Sequence, residues 1–398
     1  MKFKPLILKN TIQKYAWGSH TAIQSLLGES SSQEPWAELW MGAHPKAPSE
    51  VNFNDTWIPL NSLIGQYPIE ILGAPIAKNF NNTLPLLFKV LAAEHPLSIQ
   101  AHPNKIQAIN GFARENKMNI PLNAPHRNYK DDQHKPEIIC ALTPFTGLKG
   151  FRKIASTIEM LKMLCPINLK NEIDTLKNKG LKLFFKSLME LPGDDKIQVI
   201  NESVKNAEKL ADQNDSFKWL IRLYQMYPQD IGILSPVILN LICLEPGQAL
   251  FLPAGELHAY LDGLGIELMA NSDNVLRGGL TPKHVDVTEL LDVLTFNETK
   301  VEILLPETIA SGEGQYPVLA EEFSLSVISL DSGVSYASPQ NRSIEILLCV
   351  NGKADIMYDD GKPTVQIQKG VSVLVPASID QYQITGKAEL FKAGVPIS

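Results

Sequence analysis

Two stretches of the chain share one pattern: residues 247–258 read GQALFLPAGELH, and residues 370–381 read GVSVLVPASIDQ. In both, a glycine opens a run of strand-forming apolar residues, and a Pro-Ala pair followed by a small residue closes it. The first copy alone ends in a histidine, His258. Gly255 can adopt a positive φ in a tight turn and so aim this histidine into the mouth of a barrel. The repeat predicts two copies of one strand–turn unit.

The spacing G-x5-P-x-G-x2-H, formed by Gly247, Pro253, Gly255 and His258, resembles the motif of the cupin superfamily. This resemblance implies jelly rolls made of two packed sheets. It also implies that the second copy, which lacks the histidine, belongs to a degenerate jelly roll that has lost its metal.

The spacing of apolar residues changes twice along the chain. Short apolar runs broken by Pro, Gly and Asn indicate strands up to about residue 150, whereas a 3.6-residue apolar period indicates helices in the next block. Strand patterns return after Pro236. We expect a mainly β protein with a catalytic cupin domain (1–150 and 236–290), a helical insertion (151–235) that covers one flank of the active cleft, and a C-terminal cupin-like domain without metal (291–398). Two independent β domains flanking a helical one are the alternative.

Composition narrows the class of protein. A chain of 398 residues suggests two or three domains, and 44% hydrophobic with 20% charged residues is typical of a globular protein. The formal net charge of −7 provides no global positive field for nucleic acid or anionic membranes. No apolar run reaches the roughly 18–20 residues of a membrane span. We expect a cytoplasmic protein with reduced core thiols, since its cysteines are far apart and form no C-x-x-C pair: Cys140, Cys165, Cys243 and Cys349.

A first cluster of candidate site residues lies around position 100. In a strand, Ser98, Gln100 and His102 share one face, and the apolar residues between them share the other. The polar face is predicted to line a pocket. Taken alone, a glutamine and a histidine two residues apart are more often a solvated face than metal ligands.

Two further clusters follow. Residues 129–137 read YKDDQHKPE, and Pro136 places Glu137 at the start of an apolar strand, where the side chain points inward or outward with equal prior expectation. Residues 258–283 read HAYLDGLGIELMANSDNVLRGGLTPK. This stretch combines a histidine, carboxylates, a glycine-flanked arginine and a lysine. A purely structural turn does not need so many reactive or charged side chains, so we interpret the stretch as part of a functional site.

Both clusters resemble signatures of the type I mannose-6-phosphate isomerase family, Y-x-D-x-N-H-K-P-E for the first and H-A-Y-x-x-G through S-D-N to T-P-K for the second. The likeness spans roughly residues 13–285. Gln133 departs from the family's usual asparagine and Gly278 from its usual alanine. Neither change removes a functional group, so neither puts the activity in doubt.

The resemblance implies one zinc ion per chain, held by Gln100, His102, Glu137 and His258. It also implies reversible isomerisation of mannose 6-phosphate and fructose 6-phosphate through an enediol. Two imidazoles with oxygen donors suit zinc, but histidines and a carboxylate also hold ferrous iron in oxygen-using cupins, so the ligands alone do not choose the metal.

For the proton-transferring base we choose Glu267, because a buried carboxylate with a raised pKa suits transfer near neutral pH. Asp273 and His134 are the alternatives, and the sequence does not separate them. Lys135 is expected to neutralise oxygen charge or assist ring opening, and His134 to shuttle a hydroxyl proton. Lys89, after an apolar run, is expected to reach the site.

Arg277 and Lys283, with Ser98, are the expected phosphate clamp, since arginine offers a bidentate fork and lysine a point charge. Arg277 could instead act at the reacting end, and surface salt bridges are the non-functional alternative for both cations.

Two rival functions stay open: an iron-dependent cupin oxygenase, and a cupin that binds sugar phosphates without turnover. A phosphate clamp argues against the first, and a proton-moving base argues against the second. The expected partners are small sugar phosphates, with no nucleic acid and no membrane, and the family resemblance favours a monomer.

Overall fold

A computed structural model describes residues 3–331, 333–358 and 362–397. The strands of the first segment are β1 (Leu6–Lys9), β2 (Thr11–Gln13), β3 (Glu38–Gly42), β4 (Glu50–Phe53), β5 (Thr56–Pro59), β6 (Leu86–Ala93), β7 (Ile99–Ala101), β8 (Glu137–Ala141) and β9 (Phe145–Phe151). Its helices are α1 (Ala22–Leu27), α2 (Leu60–Gln66), α3 (Pro68–Leu72), α4 (Ala74–Asn79) and α5 (Lys105–Lys117).

The central block is helical, as its 3.6-residue apolar period predicts. It contains α6 (Ile154–Leu164), α7 (Lys170–Lys179), α8 (Leu181–Met189), α9 (Gly193–Leu210), α10 (Asp215–Met226) and the short α11 (Ser235–Ile238). Pro192 and Pro236 stand at or next to helix N-termini, where a missing backbone N–H costs nothing.

Strands return after residue 238. The remaining elements of the catalytic part are β10 (Leu239–Leu244), β11 (Ala249–Leu252), β12 (His258–Ala270), β13 (Leu276–Gly279) and α12 (Val287–Val293). The C-terminal part contains β14 (Glu307–Ala310), β15 (Glu313–Gln315), β16 (Ser324–Leu330), β17 (Tyr336–Ala337), β18 (Glu345–Tyr358), β19 (Lys362–Gln368), β20 (Ser372–Val375) and β21 (Tyr382–Gly394).

The strands form two sheets. One follows the order β10-β9-β12-β6-β3-β2 and is extended by β7, β8, β11 and β13; the other runs β14-β15-β16-β21-β18-β20-β1-β4-β5. The second sheet therefore includes strands from the N-terminal segment, with Leu6 paired to Leu374. This pairing joins segments that are far apart in the chain, so the local sequence pattern did not reveal the crossing. The domain boundaries 1–150 with 236–290, 151–235 and 291–398 stay a prediction.

Strand β6 shows how the fold separates core from site. Phe88 and Val90 point into the apolar core that joins the two β parts, whereas Lys89 and Leu91 point into the catalytic barrel. Alternation along one strand thus places the Lys89 side chain inside the barrel while its two neighbours pack in the core.

The helical block packs behind the strands that carry the polar cluster. Its core includes Ile99 and Ala101 of β7, and Leu257 and Ala259 at the start of β12. The residues between them point to the opposite side. The helical insertion therefore supports the back of the pocket wall and leaves the polar face open to the barrel.

The two copies of the strand–turn unit adopt matching backbones. Gly247 and Gly370 have φ values of 85° and 86°, and Gly255 has φ of 77°. A Cβ at Gly255 would lie 3.0 Å from the carbonyl oxygen of Val293. The positive φ predicted for Gly255 is confirmed.

We expect Gly255→Ala to lower the free energy of unfolding by about 1–2 kcal/mol, because an L-residue with a Cβ is disfavoured at positive φ. Gly65→Ala is the matched control. Gly65 lies in α2, and a Cβ there meets nothing within 4 Å, so this variant is expected to gain up to about 1 kcal/mol. Denaturant titration of both purified variants measures the difference. Equal midpoints would contradict the strained-turn explanation.

All four cysteines are free thiols, as predicted, and Cys140, Cys165 and Cys349 are buried. Cys243 is exposed, which corrects the expectation of a core thiol there. It lies on β10, an edge strand of its sheet, where its side chain faces solvent. Among the described helices, none combines the length and apolarity that crossing a bilayer requires.

Candidate metal and active site

Three buried side chains from separate strands meet in the catalytic barrel. His102 follows β7, Glu137 begins β8 and His258 begins β12, and their ligand atoms all lie within 4.8 Å of one another. Nε2 of His102 is 3.3 Å from Oε1 of Glu137, and Nε2 of His258 is 3.5 Å from Oε2. Glu137 therefore lies between the two imidazoles, pointing inward.

Backbone carbonyls set the tautomers of both histidines. His102 Nδ1 donates to the carbonyl of Asn274 at 2.7 Å, and His258 Nδ1 donates to the carbonyl of Glu256 at 3.0 Å. Burial lowers the pKa of His102 to about 4, which keeps the ring neutral at pH 7. Each Nε2 lone pair consequently faces the Glu137 carboxylate, and His102 Nε2 is buried without a hydrogen-bond donor.

The carboxylate of Glu137 is held in its charged form. Burial opposes ionisation, but the Lys135 ammonium, 2.8 Å from Oε1, and the contacts with His102 and His258 together outweigh it and lower the pKa of Glu137. Two lone pairs directed at an ionised carboxylate repel it unless a cation lies between them. Such an arrangement fits a divalent metal ion, and imidazole with carboxylate is a donor set that zinc prefers.

Strand register adds Gln100 and Arg277 to this cluster. Gln100 is paired directly with His258 on one side and with Arg277 on the other, so the three side chains project from the same face. The Gln100 amide nitrogen donates to Ser98 Oγ at 3.3 Å, which leaves its oxygen available as a ligand. Burial lowers the pKa of Arg277, which remains charged at neutral pH.

A second charged group lies deeper in the barrel. Lys89 Nζ is 2.8 Å from Oε2 of Glu267 and 3.3 Å from Oε1 of Glu38, and it lies over the Trp40 ring. Adjacent strands place these residues, since Lys89 is paired with Glu267 on β12 and with Trp40 on β3. Burial raises the pKa of Glu267, against the opposing charge of Lys89. One lysine shared by two carboxylates leaves an excess negative charge that a metal cation would balance.

Most of these charged and polar groups line one cavity with a volume of about 60 Å³. Its polar wall consists of Glu38, Lys89, Ser98, Gln100, Lys135, Glu137, His258, Tyr260 and Glu267. The sequence-based candidates Lys89, Ser98, Gln100, Lys135, Glu137, His258 and Glu267 are thus brought together, with His102 beside them.

Two sequence-based candidates lie elsewhere. Asp273 contacts Lys46 at 2.9 Å and His44 at 3.6 Å in a neighbouring cleft. Burial opposes its ionisation, but His44 and Lys46 lower the pKa of Asp273, which makes it a weak base. His134 Nε2 lies 2.6 Å from Glu322 Oε1 in a third cleft.

Lys283 is exposed and lies near Arg277. Burial, followed by the charge of Arg277, lowers its pKa. The two cations are close enough to influence one another electrostatically, as an anion-binding pair requires.

Sequence reasoning assigned no role to Glu38 or Tyr260. Glu38 is 7% exposed and accepts a hydrogen bond from Trp40 Nε1 at 2.8 Å. A charge between Ala37 and the apolar run Leu39–Met41 was the available signal, because a strand tolerates a buried carboxylate only with a partner. Tyr260 follows His258 by two residues and shares its face.

The family assignment comes from three matches along the chain. Residues 6–154 match the model described as phosphomannose isomerase type I, catalytic domain, and residues 162–239 match that family's helical insertion domain. Residues 312–394 match the mannose-6-phosphate isomerase cupin domain. The chain belongs to the type I phosphomannose isomerase family. The predicted family, the cupin fold and the helical insertion are thereby confirmed.

Curated members of the phosphomannose isomerase family resemble the chain over nearly its whole length. The mannose-6-phosphate isomerase of Escherichia coli K12 is 38% identical, with 96% of this chain and 97% of that protein covered. The human mannose-6-phosphate isomerase is 33% identical, with 93% of each covered.

Solved structures of the phosphomannose isomerase family superpose closely. A zinc-bound mannose 6-phosphate isomerase has a TM-score of 0.90 at 35% identity, covering 99% of this chain and 100% of that one. An alanine variant of the phosphomannose isomerase from Salmonella typhimurium has a TM-score of 0.91 at 35% identity with the same coverage. Because these superpositions cover 99% of the chain, the fold is shared along nearly its whole length.

Proposed function

We propose that the protein is a zinc-dependent isomerase that interconverts mannose 6-phosphate and fructose 6-phosphate. The observation that carries the proposal is the buried cluster of His102, Glu137 and His258, whose free lone pairs converge beside Glu267 in one cavity. Gln100 is the proposed fourth ligand, and one zinc ion is expected per chain.

The residues that were substituted in a related protein support these assignments. The Salmonella phosphomannose isomerase was crystallised as six alanine variants, of two lysines, one histidine, two glutamates and one arginine. Their spacing along that chain equals the spacing here of Lys89, His102, Lys135, Glu137, Glu267 and Arg277.

When bound, zinc supplies a fixed positive charge that polarises the substrate carbonyl and stabilises negative charge on its oxygens. Glu267 removes the proton from C2 of the open-chain aldose, which gives an enediolate, and returns a proton to C1, while a second proton passes from the C2 hydroxyl to the oxygen on C1. Burial keeps this carboxylate basic enough to accept a proton. Asp273 and His134 lie in other clefts, which favours Glu267 as the base.

Lysines on either side hold the reacting groups. Lys135 lies 2.8 Å from Glu137 and offers its remaining N–H donors to the substrate oxygens as they gain charge. Lys89 orients Glu267 through the 2.8 Å contact and, because it is shared with Glu38, does not fully neutralise it.

Arg277 and Lys283 are proposed to have different roles. Arg277 lies opposite Gln100 in the strand register and so acts near the reacting end, whereas the exposed Lys283 contacts the phosphate at the rim.

We therefore expect Arg277→Ala to lower kcat by about 10²- to 10³-fold, the usual loss for a charge-stabilising group. Lys283→Ala is expected to raise KM about tenfold with kcat unchanged, since it contributes equally to the ground and transition states. Lys179→Ala, an exposed lysine at the end of α7, is the control and should leave both constants unchanged. Steady-state kinetics of the zinc-loaded variants measure kcat and KM and so distinguish the two roles. A KM effect alone for Arg277→Ala would move this residue into the phosphate clamp.

The raised pKa of Glu267 predicts the pH profile. Glu267 must be ionised to act as a base, so kcat/KM falls as pH drops through a pKa above that of an ordinary glutamate. The charge of Lys89 lowers this pKa, and Lys89→Met is therefore expected to shift the acidic limb to higher pH. Lys89→Arg preserves the charge and should leave the limb in place. Profiles of kcat/KM against pH at saturating zinc measure the shift; an unmoved limb in Lys89→Met would contradict the assignment.

The experiment that tests the function is a coupled assay of mannose 6-phosphate conversion to fructose 6-phosphate by the zinc-loaded protein. Unphosphorylated mannose is the control substrate. Turnover of the phosphorylated sugar alone supports the isomerase, tight binding without turnover supports the non-catalytic alternative, and oxygen consumption with iron supports the oxygenase.

A further inference from the structure

A segment of the C-terminal part, Tyr316–Glu322, contacts the catalytic barrel at two points. The hydroxyl of Tyr316 donates to the carbonyl of Gly247 at 2.8 Å and lies 3.0 Å from Sγ of Cys140. Oε1 of Glu322 lies 2.6 Å from Nε2 of His134. Both anchors are buried, Tyr316 at 1% and Glu322 at 7% exposure.

The two contacting segments run in opposite directions, and the two contacts are separated by the same number of residues in each segment. Tyr316 and Glu322 are six residues apart, and their partners Cys140 and His134 are also six residues apart in the opposite direction. The stretch held between the two anchors carries Lys135 and Glu137. The C-terminal part thus contacts both ends of the segment that carries Glu137, a proposed metal ligand, and Lys135, a proposed substrate contact.

The rest of this loop is held from the other side. Asn274 accepts from the backbone N–H of Lys130 at 2.7 Å and donates to the carbonyl of Gln133 at 2.8 Å. The strand pairing of β8 begins at Glu137. Between these supports, the Pro136 carbonyl accepts from the backbone N–H of Ala270 at 3.1 Å, and Glu322 holds the side chain of His134, the residue immediately before Lys135.

Burying the carboxylate of Glu322 in this interface is energetically unfavourable. Burial opposes its ionisation, and the hydrogen bond and charge of His134 lower its pKa. Its second oxygen, Oε2, is buried with no hydrogen-bond partner. An apolar residue would bury the same surface without an unpartnered oxygen, so packing alone does not account for a carboxylate at this position.

We propose that Glu322 is a positioning residue: the C-terminal part holds His134 through Glu322 and thereby sets where Lys135 points. This inference rests on the proposed isomerase function for its catalytic consequence, though the positioning itself does not. A shift of about 1 Å in a group that contacts the reacting atoms costs up to about 10²-fold in rate. The C-terminal part, which lost its own histidine, thus contributes to the active site of its neighbour.

The test compares Glu322→Gln with Glu321→Gln. Glu321 is the exposed neighbour and serves as the matched control. Glu322→Gln is expected to lower kcat about 10- to 100-fold, with KM and bound zinc within twofold of the wild-type protein. Glu321→Gln should match the wild type. The double variant Glu322→Gln/His134→Gln should be no slower than the slower single variant, because both changes break one contact.

A second measurement does not depend on turnover. Hydrogen exchange of zinc-free protein should be faster in peptides covering residues 130–137 for Glu322→Gln and unchanged for Glu321→Gln. Tyr316→Phe tests the other anchor and should accelerate exchange around Cys140 alone. Wild-type kcat and unchanged exchange in Glu322→Gln would overturn the inference. If the wild-type protein itself lacks isomerase activity, the proposed function fails, while the exchange result still decides the positioning.

Discussion

Glu267→Gln is expected to lower kcat by about 10²- to 10⁴-fold, the range that general acid–base catalysis supplies. The amide preserves the volume of the side chain and its contact with Lys89 but cannot accept the C2 proton. Zinc content should remain that of the wild type, because Glu267 is not a proposed ligand. Stopped or continuous coupled assays with the zinc-loaded variant give the rate.

Glu38→Gln is the comparison for this prediction. Glu38 also contacts Lys89, but its other oxygen is occupied by Trp40 Nε1. We expect a smaller loss of kcat in Glu38→Gln than in Glu267→Gln. Isomerisation in D₂O adds an independent readout, since a proton on Glu267 that exchanges with solvent leaves deuterium in the product. A larger loss in Glu38→Gln would assign the base to Glu38, whereas deuterium in the product excludes a hydride shift.

Glu137→Gln is expected to weaken zinc binding by more than about 100-fold, because loss of groups that merely orient ligands already costs 10- to 100-fold. Activity should fall below detection at limiting zinc. The change also leaves the buried Lys135 ammonium, 8% exposed, without its carboxylate partner, which destabilises the zinc-free fold. Metal content by elemental analysis and kcat at several zinc concentrations measure the effect.

The C-terminal part provides a matched control for Glu137→Gln. Glu313 is 3% exposed and contacts Lys392, so Glu313→Gln also breaks a buried ion pair. No metal-binding group of three such side chains is found there among the described residues. We expect Glu313→Gln to lose stability and to retain zinc and kcat. Wild-type zinc affinity in Glu137→Gln would contradict the proposed ligand set.

Local pattern was enough to predict much of the site. Alternation in β7 separated Gln100 and His102 from the apolar residues that now pack on the helical block. The repeat of Gly247 and Gly370 predicted two units with the same backbone, and their φ values agree. In both cases the information lies within a few adjacent residues, so a single strand or turn carries it.

Features that depend on tertiary contacts were not accessible in this way. His134 is three residues from Glu137, yet its partner Glu322 lies in another part of the chain and draws it into a different cleft. Asp273 is beside Asn274, whose carbonyl orients His102, but its own partners His44 and Lys46 come from after β3. The crossing of β1 into the C-terminal sheet likewise depends on pairing between distant segments.

The central claim, that a metal held by this buried cluster is needed for sugar-phosphate isomerisation, is tested most directly by removing and restoring zinc. The purified protein is assayed with mannose 6-phosphate before chelation, after chelation and after zinc is returned. We predict that activity disappears with the chelator and returns with about one zinc per chain. Full activity in the stripped protein, or no turnover in a zinc-loaded protein that still binds the sugar phosphate, would contradict the account.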